Sequence, residues 1–388
     1  MSIILFDNSE RKKLYPLTIT RSVADLRMGI FTQTERWQSV SKDEVFVVTE
    51  NYLQHLYKSF PEKNNLWIDA SLIADDNLTA KILSLEDGSA IADEKEFIAG
   101  KISVNKADDF LKSPLQYFKK IDNIQNAKRL EYCWQIFQWN DEMIRKDFFI
   151  ITKNRTSQKI SSTNKIIPSG NIFMEEGAQV EHSILNASTG PIYIGKNATI
   201  MEGCFIRGPF ALGENGLLKM GTKIYGATTL GKFCIGGGEI KNAVMQACSN
   251  KAHDGYLGDS VIGWWCNLGA GTSNSNIKNT AGDVKLFDNH SNELVTVGNK
   301  CGVLMGDYSR TAINSSINTG TVIGVCCNVF GEGLLPTFIS NFTWGTKGLT
   351  KYEFDKALRD IDNWKKLKNQ NLTEAETKIL KHIFEKSL

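Results

Sequence analysis

Seven aliphatic residues recur at intervals of six: Ile194, Ile200, Ile206, Leu212, Leu218, Ile224 and Leu230. Six is neither the helical period nor the strand period. It is the spacing of a hexapeptide solenoid, a parallel β-helix in which each rung makes one short strand and one tight turn. The residues four places after each aliphatic are Ala198, Cys204, Phe210, Gly216, Thr222, Thr228 and Cys234. Most are small, as a corner under a packed stack requires. Gly195, Gly213 and Gly231 follow an aliphatic at every eighteenth residue, so three rungs make one triangular coil with one glycine per coil.

The spacing resumes at Ile262 and Leu268, and again at Ile317, Ile323, Val329 and Leu335. Between these runs lie two breaks, around 232–260 and 273–310. Extra residues cannot enter a coil without loss of register, so each break is expected to loop out of it. Long loops in compact proteins are usually functional, so a site is expected at the two breaks.

Outside the solenoid the pattern changes. Ile3–Phe6, Val45–Thr49, Leu66–Asp69 and Ile82–Leu85 read as strands, with helices over Thr32–Ser39 and Asn51–Ser59 between them. Strands alternating with helices predict a parallel α/β sheet. Residues 350–388 have no glycine. Tyr352, Leu358 and Trp364 mark one helix there, and Thr373 with Glu376 forms a capping box for a second. The expected organisation is an α/β domain over 1–155, a parallel β-helix over 165–340 and a short helical tail over 350–388. Glycine use agrees: Gly29, Gly88 and Gly100 are the only ones in the first 150 residues, and the other 29 of the 32 lie between 170 and 348.

Composition excludes more than it selects. With 45 basic and 43 acidic residues, nothing calls for nucleic acid or a membrane surface as partner. The start, Met1–Asp7, has only four apolar residues before a charged stretch, which is too short for a signal segment and reads as a first strand. The most apolar later stretch, 321–339, contains Asn328, Glu332, glycine and proline, and is no membrane span. The eight cysteines include no C-x-x-C, so small buried thiols in a reducing cytoplasm are expected.

Candidate chemistry concentrates in the first break and the coil after it. His253 sits beside Lys251 and Asp254, and a general base must be reachable and titrate near neutrality. Lys241, Lys251, Tyr256, Asn267 and Asn276 add groups that bind phosphate and hydroxyl. Asparagines at solenoid turns also serve as structural ladders, and Asn267 and Asn276 fit either role. His55, His182, His253, His290 and His382 lack the clustered spacing of a zinc site.

The runs Glu239-Ile-Lys241, Ser249-Asn-Lys-Ala-His-Asp-Gly-Tyr-Leu-Gly-Asp259, Asn267-Leu-Gly-Ala-Gly-Thr272 and Asn276 resemble the acetyltransferase half of the bifunctional GlmU enzymes. Those enzymes make UDP-N-acetylglucosamine from glucosamine 1-phosphate, acetyl-CoA and UTP. Over roughly 1–340 the chain is similar to the variant GlmU-like family of Bacteroidetes. Leu17–Arg27, Thr34–Trp37, Lys223–Thr229, Met305-Gly-Asp307 and Asn318–Gly324 carry that likeness.

The resemblance implies a left-handed coil, a homotrimer with acetyl-CoA between adjacent solenoids, and a role for each matched residue. His253 takes the proton as the sugar amine attacks the thioester. Lys241 and Tyr256 bind the sugar phosphate, with Lys223 in place of an arginine. Asn267 binds the amino sugar, Asn276 lies by the reacting groups, and the Ala270 backbone and Lys285 lie by the coenzyme. The chain departs from the pattern at Ile277, where the relatives have tyrosine, and in its longer second break.

The N-terminal domain lacks the glycine-rich phosphate loop of classical uridylyltransferases, because Ile3–Phe6 runs into Asp7-Asn-Ser-Glu-Arg-Lys-Lys13. Arg11, Arg21 and Arg27 are the candidates for binding nucleotide phosphates, and Asp69 for Mg²⁺. The same four residues could equally form a surface ion-pair set. Cys133-Trp-Gln135 stands where the family usually has Pro-Trp-Asp, which removes a carboxylate. The reading is an acetyltransferase acting on glucosamine 1-phosphate or a related amino-sugar phosphate, with uridylyl transfer as a second step. The alternatives are a nucleotidyltransferase whose solenoid mainly assembles copies, and a scaffold without catalysis.

Overall fold

The computed structural model describes residues 2–62, 64–94, 96–104, 106–167, 170–288, 290–346 and 350–386. By packing, these form two compact units. The first comprises 1–14, 21–26 and 31–131. The second comprises 15–20, 27–30 and 132–388, so residues 132–155 join the solenoid rather than the N-terminal unit.

In the first unit the described residues include strands β1 (Ser2–Phe6), β2 (Glu44–Val48), β3 (Asn64–Asp69), β4 (Ser89–Asp93), β5 (Glu96–Ser103) and β6 (Lys120–Ile124), in the order β2-β1-β3-β5-β4-β6. The sheet is mixed, not parallel as expected: β1 runs parallel to β2 and β3, whereas β5 runs antiparallel to both β3 and β4. The reason is that only two residues separate β4 from β5, too few for a helical crossover. Helix α1 (Gln33–Ser41) opens on a capping box of Thr32 and Glu35. Helix α2 (Asp76–Leu83) overturns the strand expected at Ile82–Leu85. The Asp75 carboxylate caps its start at Leu78 N, and Ile82 turns inward from the helix. The helix expected over Asn51–Ser59 is reduced to a 3₁₀ turn, Gln54–Leu56, with no side-chain cap. Helix α3 (Ala107–Lys112) places Phe110 against Trp67 and Phe97 in the core.

In the second unit, helices α4 (Gln135–Gln138) and α5 (Asn140–Thr152) precede the solenoid. The coils up to residue 268 then each contribute a short strand to each of three faces. Lys165–Ile167, Ile172–Met174 and Gln179–Val180 start the first, second and third face. Every coil-to-coil pairing on these faces is parallel, which stacks coils at one strand spacing, about 4.8 Å. Leu185, Ile206, Ile224, Ile240 and Leu257 line the interior from the first face, and Ile194, Leu212, Leu230, Met245 and Ile262 from the second. Each such side chain, fully buried, contributes roughly 1.5–3 kcal/mol. The once-per-coil glycine is a close approach: a Cβ on Gly213 would lie 2.5 Å from the backbone of Lys232 on the next coil.

The first break does not loop out. Residues 232–260 remain in the coil as strands Ile235–Gly236, Glu239–Lys241, Val244–Ala247, Asn250–Lys251 and Tyr256–Gly258. What changes is coil length. Phe205 pairs with Lys223 and Thr229 with Val244, so a corner loses residues and the six-residue phase shifts. The second break does leave the coil. Val284–Asp288 and Glu293–Gly298 form an antiparallel hairpin between strands Ser273–Asn274 and Val303–Met305. Val284 and Leu286 are buried against Gly320 at its root. The tail is helices α6 (Phe354–Lys366) and α7 (Glu374–Lys386), and the Thr373–Glu376 capping box is formed.

Candidate functional site

The corner between the third and first faces carries His253. Lys251 is the last residue of its third-face strand, and Tyr256 begins the next first-face strand, so 252–255 make the turn. Gly255 has φ +116°, and a Cβ there would lie 2.1 Å from Thr272 O, so this turn requires glycine. His253 is exposed within a coil turn rather than in an excursion from the solenoid, which corrects the expectation. Lys251 does not offer its head to solvent. It is 1% exposed, and its Nζ donates to Gly237 O at 3.2 Å and His253 O at 2.5 Å. Burial pushes its pKa down to about 8, with Asp254 opposing.

Register brings three expected residues onto one outward surface. On the first face Lys223 pairs with Glu239 and Glu239 with Tyr256, while Tyr225 pairs with Lys241 and Lys241 with Gly258. Ile224, Ile240 and Leu257 alternate inward, which turns their neighbours out. Gly258 leaves room for Tyr256, whose hydroxyl would lie 2.2 Å from a Cβ there. Asn276 Nδ2 donates to Tyr256 Oη at 3.1 Å and also to Asp259 Oδ2. Asn242 Nδ2 donates to Asp259 Oδ1 at 2.7 Å. Tyr225 donates its hydroxyl to Glu239, which holds its pKa up at about 12. Burial raises that of Tyr256, helped by Asp259. Both phenols are therefore donors at neutral pH. The sequence motif contains Glu239 and Asp259, but only the fold shows that they organise Tyr225, Asn242 and Asn276.

Asn267 stands on the third face, on the other side of the same corner. It pairs in register with Asn250 and Arg310, and Asn250 Nδ2 reaches its Oδ1 at 3.5 Å. Ala270 lies in the corner one coil beyond His253: Gly271 N donates to Asp254 O at 3.1 Å, and Ala270 O accepts from Asn314 N at 2.7 Å. Along one edge of the prism the fold thus arranges Asn267, then His253 and Ala270, then Lys223, Lys241, Tyr256 and Asn276. Lys285 is not among them; it is exposed on the inserted hairpin, paired with Thr296.

In the first unit, β1 and β3 end side by side at Phe6 and Asp69. A cleft of about 230 Å³ opens there, lined by Asp7, Asn8, Asp69, Glu96 and Arg129 among others. Clefts at the carboxyl ends of parallel strands are where α/β sheets take ligands. Asp69 is buried. Its Oδ1 accepts from Ser71 N and Oγ, both at 2.8 Å, and its Oδ2 from Asn8 Nδ2 at 2.9 Å. Burial raises its pKa, with Asn8 and Ser71 opposing.

The expected arginines do not line this cleft. Arg11 is buried against Asp7 at 3.1 Å, and donates to Glu50 at 3.2 Å and to Arg21 O at 3.1 Å. Arg21 is itself buried. Arg27 belongs to the second unit, where its Nη1 donates to Ile30 O and its Nε to Gln246 O at 3.3 Å. Gln246 also clamps the Arg27 backbone, accepting from its N at 2.6 Å and donating to its O at 2.9 Å. Thr20 donates to Asp307, so two segments singled out by family likeness meet inside one unit. Arg129, which no motif marks, is the arginine in the cleft.

Residues 3–156 match the sugar nucleotidyl transferase family model. Curated relatives extend the likeness. A bifunctional protein GlmU of Methanocaldococcus jannaschii is 27% identical over 221 residues, covering 53% of this chain and 47% of the relative. A bifunctional sugar-1-phosphate nucleotidylyltransferase/acetyltransferase of Sulfurisphaera tokodaii is 30% identical over 178 residues, 44% of this chain and 42% of the relative. A bifunctional protein GlmU of Xanthomonas campestris pv. campestris is 32% identical over 124 residues, 32% of this chain and 24% of the relative. The chain spans about half the length of these relatives, or less. Among the described residues, no helix is long and apolar enough to cross a membrane.

Proposed function

We propose that this chain is a transferase with two sites, one for acetyl transfer on the solenoid and one for nucleotidyl transfer in the N-terminal cleft. The observation that carries the reading is the strand register that sets Lys223, Lys241 and Tyr256 on one face beside the turn of His253. Two ammonium groups and a phenol hydroxyl suit a phosphate, and charge-assisted contacts would fix it there. Glucosamine 1-phosphate, or a related amino-sugar phosphate, would then present its amine toward the corner. The amine nitrogen attacks the acetyl-CoA thioester carbonyl, a C–N bond forms and the C–S bond breaks. His253 takes the amine proton and the coenzyme leaves as its thiol, a general-base role worth about 10²–10⁴ in rate. Asn276, held by Asp259, and Asn267 orient the sugar.

Asn267 and Ala270 flank the edge from the third face, and a second copy of the solenoid along this edge would enclose the coenzyme. This is the homotrimer, with a left-handed coil, that the family resemblance implies. Lys285 would reach the coenzyme only through the hairpin's position beside a neighbouring copy.

In the cleft, a sugar 1-phosphate oxygen would attack the α-phosphorus of UTP and release pyrophosphate. A magnesium ion bound through one carboxylate and substrate phosphates is ordinary chemistry. Asp69 fits it: the carboxylate is held rigidly at the cleft, and Oδ2 accepts a single hydrogen bond from Asn8, leaving lone-pair capacity. The ion would neutralise phosphate charge.

The acetyl-transfer half is tested by release of free coenzyme thiol from acetyl-CoA. Release that depends on glucosamine 1-phosphate and is lost in H253A supports it. No sugar-dependent release, across amino-sugar phosphates, refutes it.

A further inference from the structure

The N-terminal cleft contains a guanidinium edge that meets no hydrogen-bond acceptor among the described residues. The Arg129 side chain is 14% exposed, and its Nε and Nη2 are buried without a hydrogen-bond partner. Buried donors in that state are costly and rare. Nη1 faces the largely exposed Glu96 on the other side of the group. Nε and Nη2 share one edge of the guanidinium plane, the fork that carboxylates and phosphates accept in bidentate fashion.

The surrounding geometry keeps that fork open. Asp69 Oδ2 is 4.0 Å from Nε, beyond hydrogen-bond reach. Asp69 is anchored by Ser71 and Asn8, so its carboxylate is not free to turn onto the fork. The arginine is anchored as well: Leu130 N donates to Ser71 O and Ile73 N to Lys128 O, both at 2.8 Å, tying 128–130 to the chain just after β3. The fork is thus nearly buried and held beside the end of β3 with its two donors unused among the described residues.

We propose that the Nε–Nη2 edge of Arg129 binds a phosphate group in this cleft, brought by a nucleoside triphosphate or by a sugar 1-phosphate. It rests on the reading of the N-terminal unit as the nucleotidyl-transfer unit. It also supplies the phosphate-binding side chain that replaces the missing glycine loop, a role that Arg11, Arg21 and Arg27 do not fill from their positions.

The test is isothermal titration of the full chain, with magnesium present, using UTP, N-acetylglucosamine 1-phosphate and inorganic pyrophosphate as separate probes. The native protein is compared with R129A and R129K, with thermal unfolding as the check on folding. R129A should weaken the phosphate ligand on the fork by roughly 10–100-fold, the loss of a charge-assisted bidentate contact. R129K keeps the charge without the fork and should weaken it less; if R129A fails to fold, R129K carries the comparison. A loss confined to UTP and pyrophosphate assigns the fork to the nucleotide, and a loss confined to the sugar phosphate assigns it to the sugar. Equal affinities in native protein and folded variants overturn the proposal and leave the nucleotidyl-transfer reading standing. No binding of any probe by native protein overturns both.

Discussion

Lys251 holds the backbone of His253: its buried Nζ donates to the His253 carbonyl oxygen at 2.5 Å and to Gly237 O at 3.2 Å. These bonds fix the turn that carries the imidazole, so if His253 is the base, Lys251 acts as a positioning residue. K251M should lower kcat for acetyl transfer by roughly 10-fold or more, because small misplacements of a catalytic group are costly. KM for acetyl-CoA should change little. Steady-state kinetics decides it, and unchanged kcat would make the contact irrelevant to catalysis.

The same lysine gives a signed pH effect. Burial lowers its pKa from 10.5 to about 8. Between those pH values the unfolded chain holds a proton that the folded chain has released, so this group's contribution to stability rises with pH. The buried thiols act oppositely. Burial raises Cys234 to about 12 and Cys327 to about 11, so from about pH 9 upward they lower stability. The difference between native protein and K251M isolates the lysine: it should shift in favour of native protein as pH rises from about 8 to 10.5, by denaturant unfolding. A flat difference contradicts the assignment.

Asp259 is the acceptor that fixes both Asn242 and Asn276. D259A leaves two amides without that acceptor, at about 1–3 kcal/mol in stability. If Asn276 orients the sugar through this contact, KM for the sugar phosphate rises several-fold and KM for acetyl-CoA does not. Restoration by D259N, which keeps one acceptor oxygen, should be partial. Equal changes in both KM values would mean a general loss of structure.

Arg27 serves the second unit's packing. R27A should cost about 1.5–3 kcal/mol by losing charge-assisted bonds to Ile30 and Gln246 carbonyls. Affinity for UTP should stay unchanged in the folded variant. A selective loss of UTP affinity with normal thermal stability would return Arg27 to the nucleotide site.

The solenoid was legible because its interior positions repeat at a period that neither helix nor strand shares, and Ile194 to Leu230 keep it without error. The first break misled because a lost register reads the same whether residues are added or removed. Here the pairing of Thr229 with Val244 shows removal. Lys223, Lys241 and Tyr256 could be matched by motif, but their common surface depends on strand register, which sequence spacing alone does not define. In the first unit, Ile82–Leu85 is apolar enough for a strand. The Asp75 cap, readable in the sequence, was the signal for the helix. Arg129 had no such signal: its role depends on a tertiary bridge to Leu72 and on which of its nitrogens find acceptors.

Mass spectrometry of products from glucosamine 1-phosphate, acetyl-CoA, UTP and magnesium reports on both transfer sites in one chain. Native protein should yield the N-acetylated sugar phosphate and then its uridine diphosphate conjugate. H253A, supplied with N-acetylglucosamine 1-phosphate, should still make the conjugate while failing to acetylate glucosamine 1-phosphate. Neither product from native protein would rule out the two transfer sites, and full acetylation by H253A would rule out His253 as the base.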